Sequence, residues 1–459
     1  GRLVLSQMVE TFALSFCALI VALIGLELAL PYAQPLIGKE LDINFSQAPQ
    51  LLLLPIAVLI LVVLISGVYP AVSLSSFSIS GVLRGALPQS KVNILRKSLF
   101  VLQFMICTGL LITALVIRGQ SDYLINLDKG YNEENIMTFS LYQEGRSLDY
   151  QTVRNALEAI PQIEKVTSSP LPMFAPPPPM MILVDGKPVP ITIYSGAADQ
   201  NFNELFELEV LEGTDFSKLP KSQLDSLVII NETAKKKLGL NPAIGAKMPN
   251  GRRVVGVVKD FHFSSAKNVI EPAMITYTAN PRDFVQFKYR ANNKEAVKAQ
   301  VGLALNKLGV KADPNLTELE GFFSPAYEKE SQLITIFDFL TLMVVSVAFL
   351  GLFALSSFEN KLREKEVGIR KVLGASYLHL AQTLNKRFTW LIVLAFIAAV
   401  PLTYYGLEQW IAEFPYRLEN LTPFFVQAII MVGVLAITVL GLHSYFSVQK
   451  NPVDVLRNE

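Results

Sequence analysis

The sequence predicts an α-helical membrane protein with six transmembrane helices and one α+β domain inserted on the extracytoplasmic side. Three observations predict it. Hydrophobic residues fill 51% of the 459 positions and charged residues only 17%, against about 25% charge in ordinary soluble domains. Apolar runs recur at the length a bilayer core demands, roughly 20 residues of helix. One polar segment of domain length, about Arg118 to Gln332, separates the third run from the fourth.

The six runs are Met8–Pro31, Leu51–Leu74, Lys97–Ile117, Leu333–Ser356, Phe388–Trp410 and Phe424–Phe446. A single run of this kind could be a buried core helix, but six nearly without charge read as spans. Basic residues orient them. Arg84, Lys91, Arg96 and Lys97 lie between the second and third runs. Lys361, Arg363, Lys365, Arg370, Lys371, Lys386 and Arg387 lie between the fourth and fifth, and Lys450 and Arg457 follow the sixth. The loops Tyr32–Gln50 and Ile411–Pro423 carry one basic residue each, Lys39 and Arg417. An N-terminus inside puts every basic loop in the cytoplasm and the long polar segment outside.

That segment alternates strand and helix patterns. "RRVVGVVKDFHF" (Arg252–Phe263), "PAMITYT" (Pro272–Thr278) and "DFVQFKYR" (Asp283–Arg290) read as strands. Thr152–Ile160, Glu232–Leu240 and Asn293–Gly309 have helical spacing, with Asn231 placed to cap the second. "APPPPM" (Ala175–Met180) reads as a stiff exposed loop, since its prolines cannot sit inside a sheet.

Several chemistries are excluded. A net charge of +1 gives no electrostatic footprint for nucleic acid. Two cysteines, Cys17 and Cys107, support neither a disulfide framework nor a Cys-rich zinc site. The histidines His262, His379 and His443 stand singly and read as structural. No G-x-x-x-x-G-K-[ST] occurs, so the sequence carries no phosphate-cradling loop. Asp260, His262 and Ser264 crowd into "KDFHFSS", but triads assemble in space and not in a row, so packing at a strand end is the better reading. No catalytic residue and no metal ligand is predicted. Glu27 and Glu408, near the outer ends of the first and fifth spans, read as interfacial.

The first two spans resemble the last two. Both hairpins end at the membrane exit on similar stretches, "ISGVLRG" and "NPVDVLRN". Duplication follows, and with it the expectation that an upstream part holds the first copy's charged loop and a further span. The charged loop of the second copy is "ENKLREKEVGIRKVLGAS", Glu359–Ser376. On a helix, Phe358, Leu362, Lys365, Ile369, Val372 and Ser376 share one face. Glu359–Arg363 and Glu366–Arg370 pair at i,i+4 on another. Gly374 would end the helix and Ser376 would cap the next. A helix that only anchors the loop to lipid wants basic residues with aromatics. Mixed signs beside a compact apolar stripe suit a groove on a partner protein.

"REKEVGIRKVLGAS" resembles the cytoplasmic coupling element of MacB/FtsX-type ABC transporter permeases. "VVGVVKDFHF" is similar to a stretch of their extracytoplasmic domain, and "NPVDVLRNE" to their C-terminus. "SGVYPAVSLSSFSISGVLRG" (Ser66–Gly85) resembles the end of the first half in the tandem-duplicated, eight-span members, of which this chain resembles the C-terminal part. The resemblance implies four parts. Residues 1–85 would end the first permease repeat with two spans, and 86–118 would be a cytoplasmic link and the third span. Residues 119–332 would be an α+β domain of the MacB periplasmic core type. Residues 333–459 would be the second FtsX-like repeat, with three spans and a coupling helix at about 359–375.

It further implies that Arg363, Glu364, Lys365, Glu366, Val367, Gly368, Ile369, Arg370, Lys371, Val372, Leu373, Gly374 and Ala375 dock on a separate ABC ATP-binding subunit. ATP and Mg would bind in that partner, and this chain would hold no cofactor. Other expected partners are the lipid bilayer, a second permease copy and a periplasmic protein, with no nucleic acid. The implied setting is the bacterial cytoplasmic (inner) membrane, multi-pass, with the large domain outside. The implied work is ATP-driven movement of that domain for export of peptides or small toxic compounds. The alternatives are signalling to a cell-wall hydrolase or sensor kinase, and lipoprotein release.

Overall fold

A computed structural model describes residues 2–37, 53–64, 89–143, 146–170, 180–184, 187–248, 250–264, 266–281, 284–290, 294–310, 315–320, 328–362 and 364–449. Long apolar helices flank a domain of short strands and helices. The first group is α1 (Arg2–Ile37), α2 (Leu53–Val63) and α3 (Gln89–Ile125). The last is α9 (Glu328–Leu362), α10 (Glu364–Val372), α11 (Tyr377–Ile411) and α12 (Thr422–Gln449). Five of the six expected spans appear as helices long and apolar enough to cross a membrane. For the second, the described part is the eleven-residue α2, and the rest of Leu51–Leu74 lies mostly outside the described residues. The chain divides into two compact units. One is Gly1–Arg118, Glu330–Glu408 and Asn420–Glu459, and the other is Gly119–Lys329 with Gln409–Glu419.

Within the helical unit, close approach replaces hydrophobic drive, because lipid is as apolar as leucine. The Gln103 amide of α3 donates to the Val347 carbonyl of α9 at 2.5 Å. Gly351 makes room for it: a Cβ there would stand 2.6 Å from Gln103 Oε1. Phe100 of α3 meets Phe388 of α11 edge-on at 6.0 Å. On α12, Ala428, Val432, Ala436 and Val439 form a buried stripe of small and branched residues.

The second unit holds β1 (Ile136–Ser140), β2 (Tyr142–Gln143), β3 (Arg146–Ser147), α4 (Tyr150–Glu158), β4 (Ile163–Ser169), β5 (Met180–Val184), β6 (Lys187–Ile191) and β7 (Tyr194–Ala198). It continues with α5 (Phe202–Phe206), β8 (Val210–Gly213), α6 (Lys221–Leu224), β9 (Leu227–Asn231), α7 (Glu232–Lys237) and β10 (Arg253–Val258). Then come β11 (Ala273–Tyr277), β12 (Phe284–Tyr289), α8 (Lys294–Lys307) and β13 (Thr317–Glu318). One sheet is antiparallel in the order β13-β1-β12-β4, and its apolar face packs with α4 and α8 through Leu157, Phe287, Val297 and Val301. The other is mixed, in the order β7-β11-β9-β10-β8. Its central strand β9 sends Ile229 to one core and Val228 and Ile230 to the other, as the two-residue period of a doubly covered strand requires. The three strands and three helices expected from the sequence all form. The "APPPP" stretch (Ala175–Pro179) lies outside the described residues, and Met180 opens β5.

Asp199, at the end of β7, joins the two sheets. Its carboxylate accepts from the Tyr150 hydroxyl of α4 and the Thr167 hydroxyl of β4, and from the Asn201 N–H at 3.0 Å. Burial pushes its carboxyl above the usual range, and these donors oppose that rise.

The "KDFHF" stretch is a structural knot. Asp260 accepts the Thr233 N–H (2.8 Å) and hydroxyl (2.7 Å), which caps α7 together with Asn231, whose Oδ1 takes the Ala234 N–H at 3.0 Å. The His262 N–H donates to the Lys129 carbonyl at 2.8 Å, and its ring meets Tyr416 edge-on at 5.0 Å. Tyr416 belongs to the loop between α11 and α12, which Gln120 clamps. Gln120 Nε2 donates to the Tyr416 carbonyl (2.9 Å) while Oε1 accepts the Leu418 N–H (3.0 Å).

Two outcomes follow for this joint. Gln120→Leu leaves both backbone groups unpaired in a site where Gln120 is 1% exposed. Amide exchange at Leu418 should accelerate roughly tenfold, the equivalent of about 1–2 kcal/mol. Burial, helped by the Lys129 charge, holds the His262 imidazole below its ordinary 6.5. The unfolded chain therefore takes the proton first, and the stability from the neutral ring is present above about pH 6.5 and lost as pH falls through the lower folded value. Protection of residues 409–419, corrected for intrinsic exchange, should drop between pH 7 and pH 5, and His262→Phe should flatten that dependence.

Candidate functional site

The charged run between α9 and α11 folds as a helix with a defined C-terminal end. α9 continues to Leu362, so Phe358 and Glu359 sit in its last turns, and α10 is Glu364–Val372. The expected helix from about 359 to 375 is helical on both sides of residue 363, which lies outside the described residues. Glu359 pairs with Arg387 of α11 at 3.3 Å, and Arg363, its expected i,i+4 partner, lies outside the described residues. Glu364 and Lys365 are helical.

The C-terminal end follows the sequence closely. Gly374 takes φ +87°, the left-handed region where a Cβ costs about 1–2 kcal/mol. Its N–H donates to the Lys371 carbonyl at 3.1 Å, and the Ala375 N–H to the Arg370 carbonyl at 3.0 Å. This paired closure satisfies carbonyls that a helix end otherwise leaves open. Ser376 caps α11, with Oγ accepting the His379 N–H at 3.4 Å and its carbonyl accepting the Leu380 N–H at 3.1 Å.

α10 turns one side to the first turns of α11. Gly368 is buried and Val367 half-buried, and Val367, Glu366 and Arg370 border a crevice with Leu380 and Leu384. The opposite side is open: Ile369 is 51% exposed, Val372 66% and Leu373 80%. Glu366 and Arg370 pair at 2.7 Å but stay about half-exposed, so the pair is worth only a few tenths of a kcal/mol. Covering one such apolar side chain contributes about 1.5–3 kcal/mol. The site is therefore an exposed apolar stripe with the ion pair and Lys371 beside it.

A polar layer fastens the helices that carry α10. His443 of α12 contacts Ser357 Oγ through Nε2 (2.6 Å) and the Asn360 amide through Nδ1 (2.8 Å), both on α9. An amide donating to Nδ1 leaves the proton on Nε2, donated to Ser357. Asn385 of α11 accepts from the Ser444 hydroxyl of α12 at 3.1 Å and donates to the Leu440 carbonyl at 3.5 Å. Sequence reasoning missed these residues, except for flagging His443 as structural. The available signal was polar side chains at the ends of otherwise apolar runs. Among the described residues no group of His, Cys, Asp and Glu could hold a metal.

Residues 339–450 match the family model described as FtsX-like permease C-terminal. No curated protein matches the chain. Several solved structures are similar to part of it, among them these two. One is the periplasmic region of MacB from Actinobacillus actinomycetemcomitans, at 16% identity and TM-score 0.32, covering 44% of this chain and 97% of that one. The other is the extracellular domain of the noncanonic ABC-type transporter YknZ from Gram-positive bacteria, at 15% identity and TM-score 0.28, covering 39% and 96%.

Gly374 offers a direct check on the α10 geometry. Gly374→Val should strain the left-handed turn and speed amide exchange at Gly374's replacement and at Ala375 by about tenfold. Gly374→Asn, which tolerates that conformation, should change it far less.

Proposed function

We propose, from the premise that residues 339–450 are an FtsX-like permease C-terminal region, that this chain is the membrane subunit of an ABC transporter. Its α10, with the flanking residues Arg363 and Leu373 to Ala375, docks on a separate ATP-binding subunit that holds ATP and Mg. The carrying observation is the open Ile369–Val372–Leu373 stripe beside a solvated Glu366–Arg370 pair, on a helix set between two membrane-long helices. In this reading the partner covers the stripe, and the charges of Glu366, Arg370 and Lys371 fix its register.

The polar layer turns a push on α10 into a movement of helices. A displaced α10 bears on α11, and His443 and Asn385 bind α9, α11 and α12 to one another. The five described spans keep their charged residues near their ends, which suits movement of an extracytoplasmic domain better than a hydrophilic pore. The work is export of peptides or small toxic compounds across the bacterial cytoplasmic membrane, with a second permease copy and a periplasmic protein as further partners. The same charge distribution and the Gln120 clamp on loop 409–419 favour a second reading. In it the domain passes motion to a cell-wall hydrolase or sensor kinase and nothing is transported.

The test is the swap Glu366→Lys with Arg370→Glu. It keeps an i,i+4 ion pair, so α10 still folds, while the surface pattern is reversed. The wild-type chain, extracted from native membranes in mild detergent, should bring an ATP-binding subunit with it, and the swapped chain should lose it. Retention of the partner and of function by the swapped chain would sink the docking role of α10. Accumulation of exported compounds on loss of the protein separates transport from the signalling reading, which predicts division or envelope defects instead.

A further inference from the structure

Three cations line one cleft between α3, α9 and α11: Arg96 and Lys97 of α3 and Arg387 of α11. Glu359 of α9 is the single carboxylate on its walls, and it is engaged by Arg387 at 3.3 and 3.4 Å. Among the described residues, three cations face one carboxylate there, which leaves two positive charges in excess. Among the described residues no carboxylate stands within ion-pair distance of Arg96 or Lys97. The Arg96 guanidinium lies over the Phe358 ring, 4.6 Å from its centroid. That contact is not an ion pair, and the guanidinium N–H groups are of the kind that bind phosphate bidentately. Leu355 and Leu391 supply apolar wall to the same cleft.

The position along the spans identifies the anion. Arg96 opens the apolar span Arg96–Ile125, and Glu359 lies near the end of Gln332–Lys361. Cations held at the end of apolar helices, beside an apolar wall, sit where a bilayer presents its phosphates. We propose that this cleft binds the phosphodiester of an anionic phospholipid, with Arg96 and Lys97 as the phosphate ligands and Arg387 shared between lipid and Glu359. The acyl chains would follow the Leu355–Leu391 wall. The site ties lipid composition to the α9–α11 contact next to α10.

The test uses the full chain purified in mild detergent, with retained lipid read by native mass spectrometry. Phosphatidylglycerol should be retained at least about tenfold over phosphatidylcholine of the same acyl chains. Each cation near a membrane surface is worth roughly fivefold in binding, so Arg96→Gln with Lys97→Gln should weaken phosphatidylglycerol by about 25-fold. Arg118→Gln, at the other end of α3, should leave it unchanged. Glu359→Gln should strengthen it several-fold, and this outcome does not depend on the double variant folding. Equal retention of the two lipids, equal loss in Arg118→Gln, or weakening in Glu359→Gln would overturn the site. Displacement of phosphatidylglycerol by millimolar inorganic phosphate would overturn the lipid assignment, leaving a simple anion site.

Discussion

Within a bilayer core every backbone N–H and C=O must find its partner inside the chain, because no water is there to substitute. The long helices obey this along most of their length, with Pro401 of α11 as an internal exception, and even their hydroxyls turn inward. Thr108, Thr113, Ser346 and Thr438 each donate to the carbonyl four residues earlier, at 2.8 Å. Irregular backbone is therefore displaced to the helix ends, and there it needs help from side chains or special conformations. Gly374 closes α10 by adopting a conformation other residues avoid, and Gln120 completes the backbone pairing of the loop after α11. The chemistry that distinguishes this chain from any bundle of apolar helices is concentrated at these ends.

The same division explains what the sequence made legible. Five of the six spans, the strand periods, the Asn231 cap and the Gly374–Ser376 punctuation are local signals, each read within a few residues, and these form as expected. Long-range pairings have no such signal. Gln120 finds its loop 296 residues along the chain, and Asn360 finds His443 after 83. Polarity alone marked Gln120 as no different from its exposed neighbours. The charged run is helical over Glu364–Val372, as its spacing predicts, while Arg363 lies outside the described residues. The stretches Ser66–Gly85 and "NPVDVLRNE", on which the duplication rests, lie outside the described residues.

Energetics decide how the exposed face of α10 is to be read. Helix–helix packing already buries Gly368, and the Gly374 closure already completes the carbonyls, so the open apolar stripe adds nothing to local folding. Leaving Ile369, Val372 and Leu373 in water forgoes several kcal/mol that burial would return. Lipid could cover such a stripe, but a lipid-seeking helix gains from a uniformly basic polar face. Glu366, paired to Arg370, works against that. A protein surface with its own charge pattern accommodates both signs.

A docking helix performs work only if its displacement is not absorbed by slack in its supports. The supports here are unlike at the two ends of the α11–α12 hairpin. Beside α10 they are hydrogen bonds among uncharged side chains, His443, Asn385 and Ser444, which carry no charge that salt could screen. At the tip, residues 409–419 belong to the unit that holds the strands, fixed by the paired bonds of Gln120 and by Phe414 and Tyr416 packed with Leu124 and Ala266. The α11–α12 hairpin is therefore held by hydrogen-bonded side chains at both of its ends.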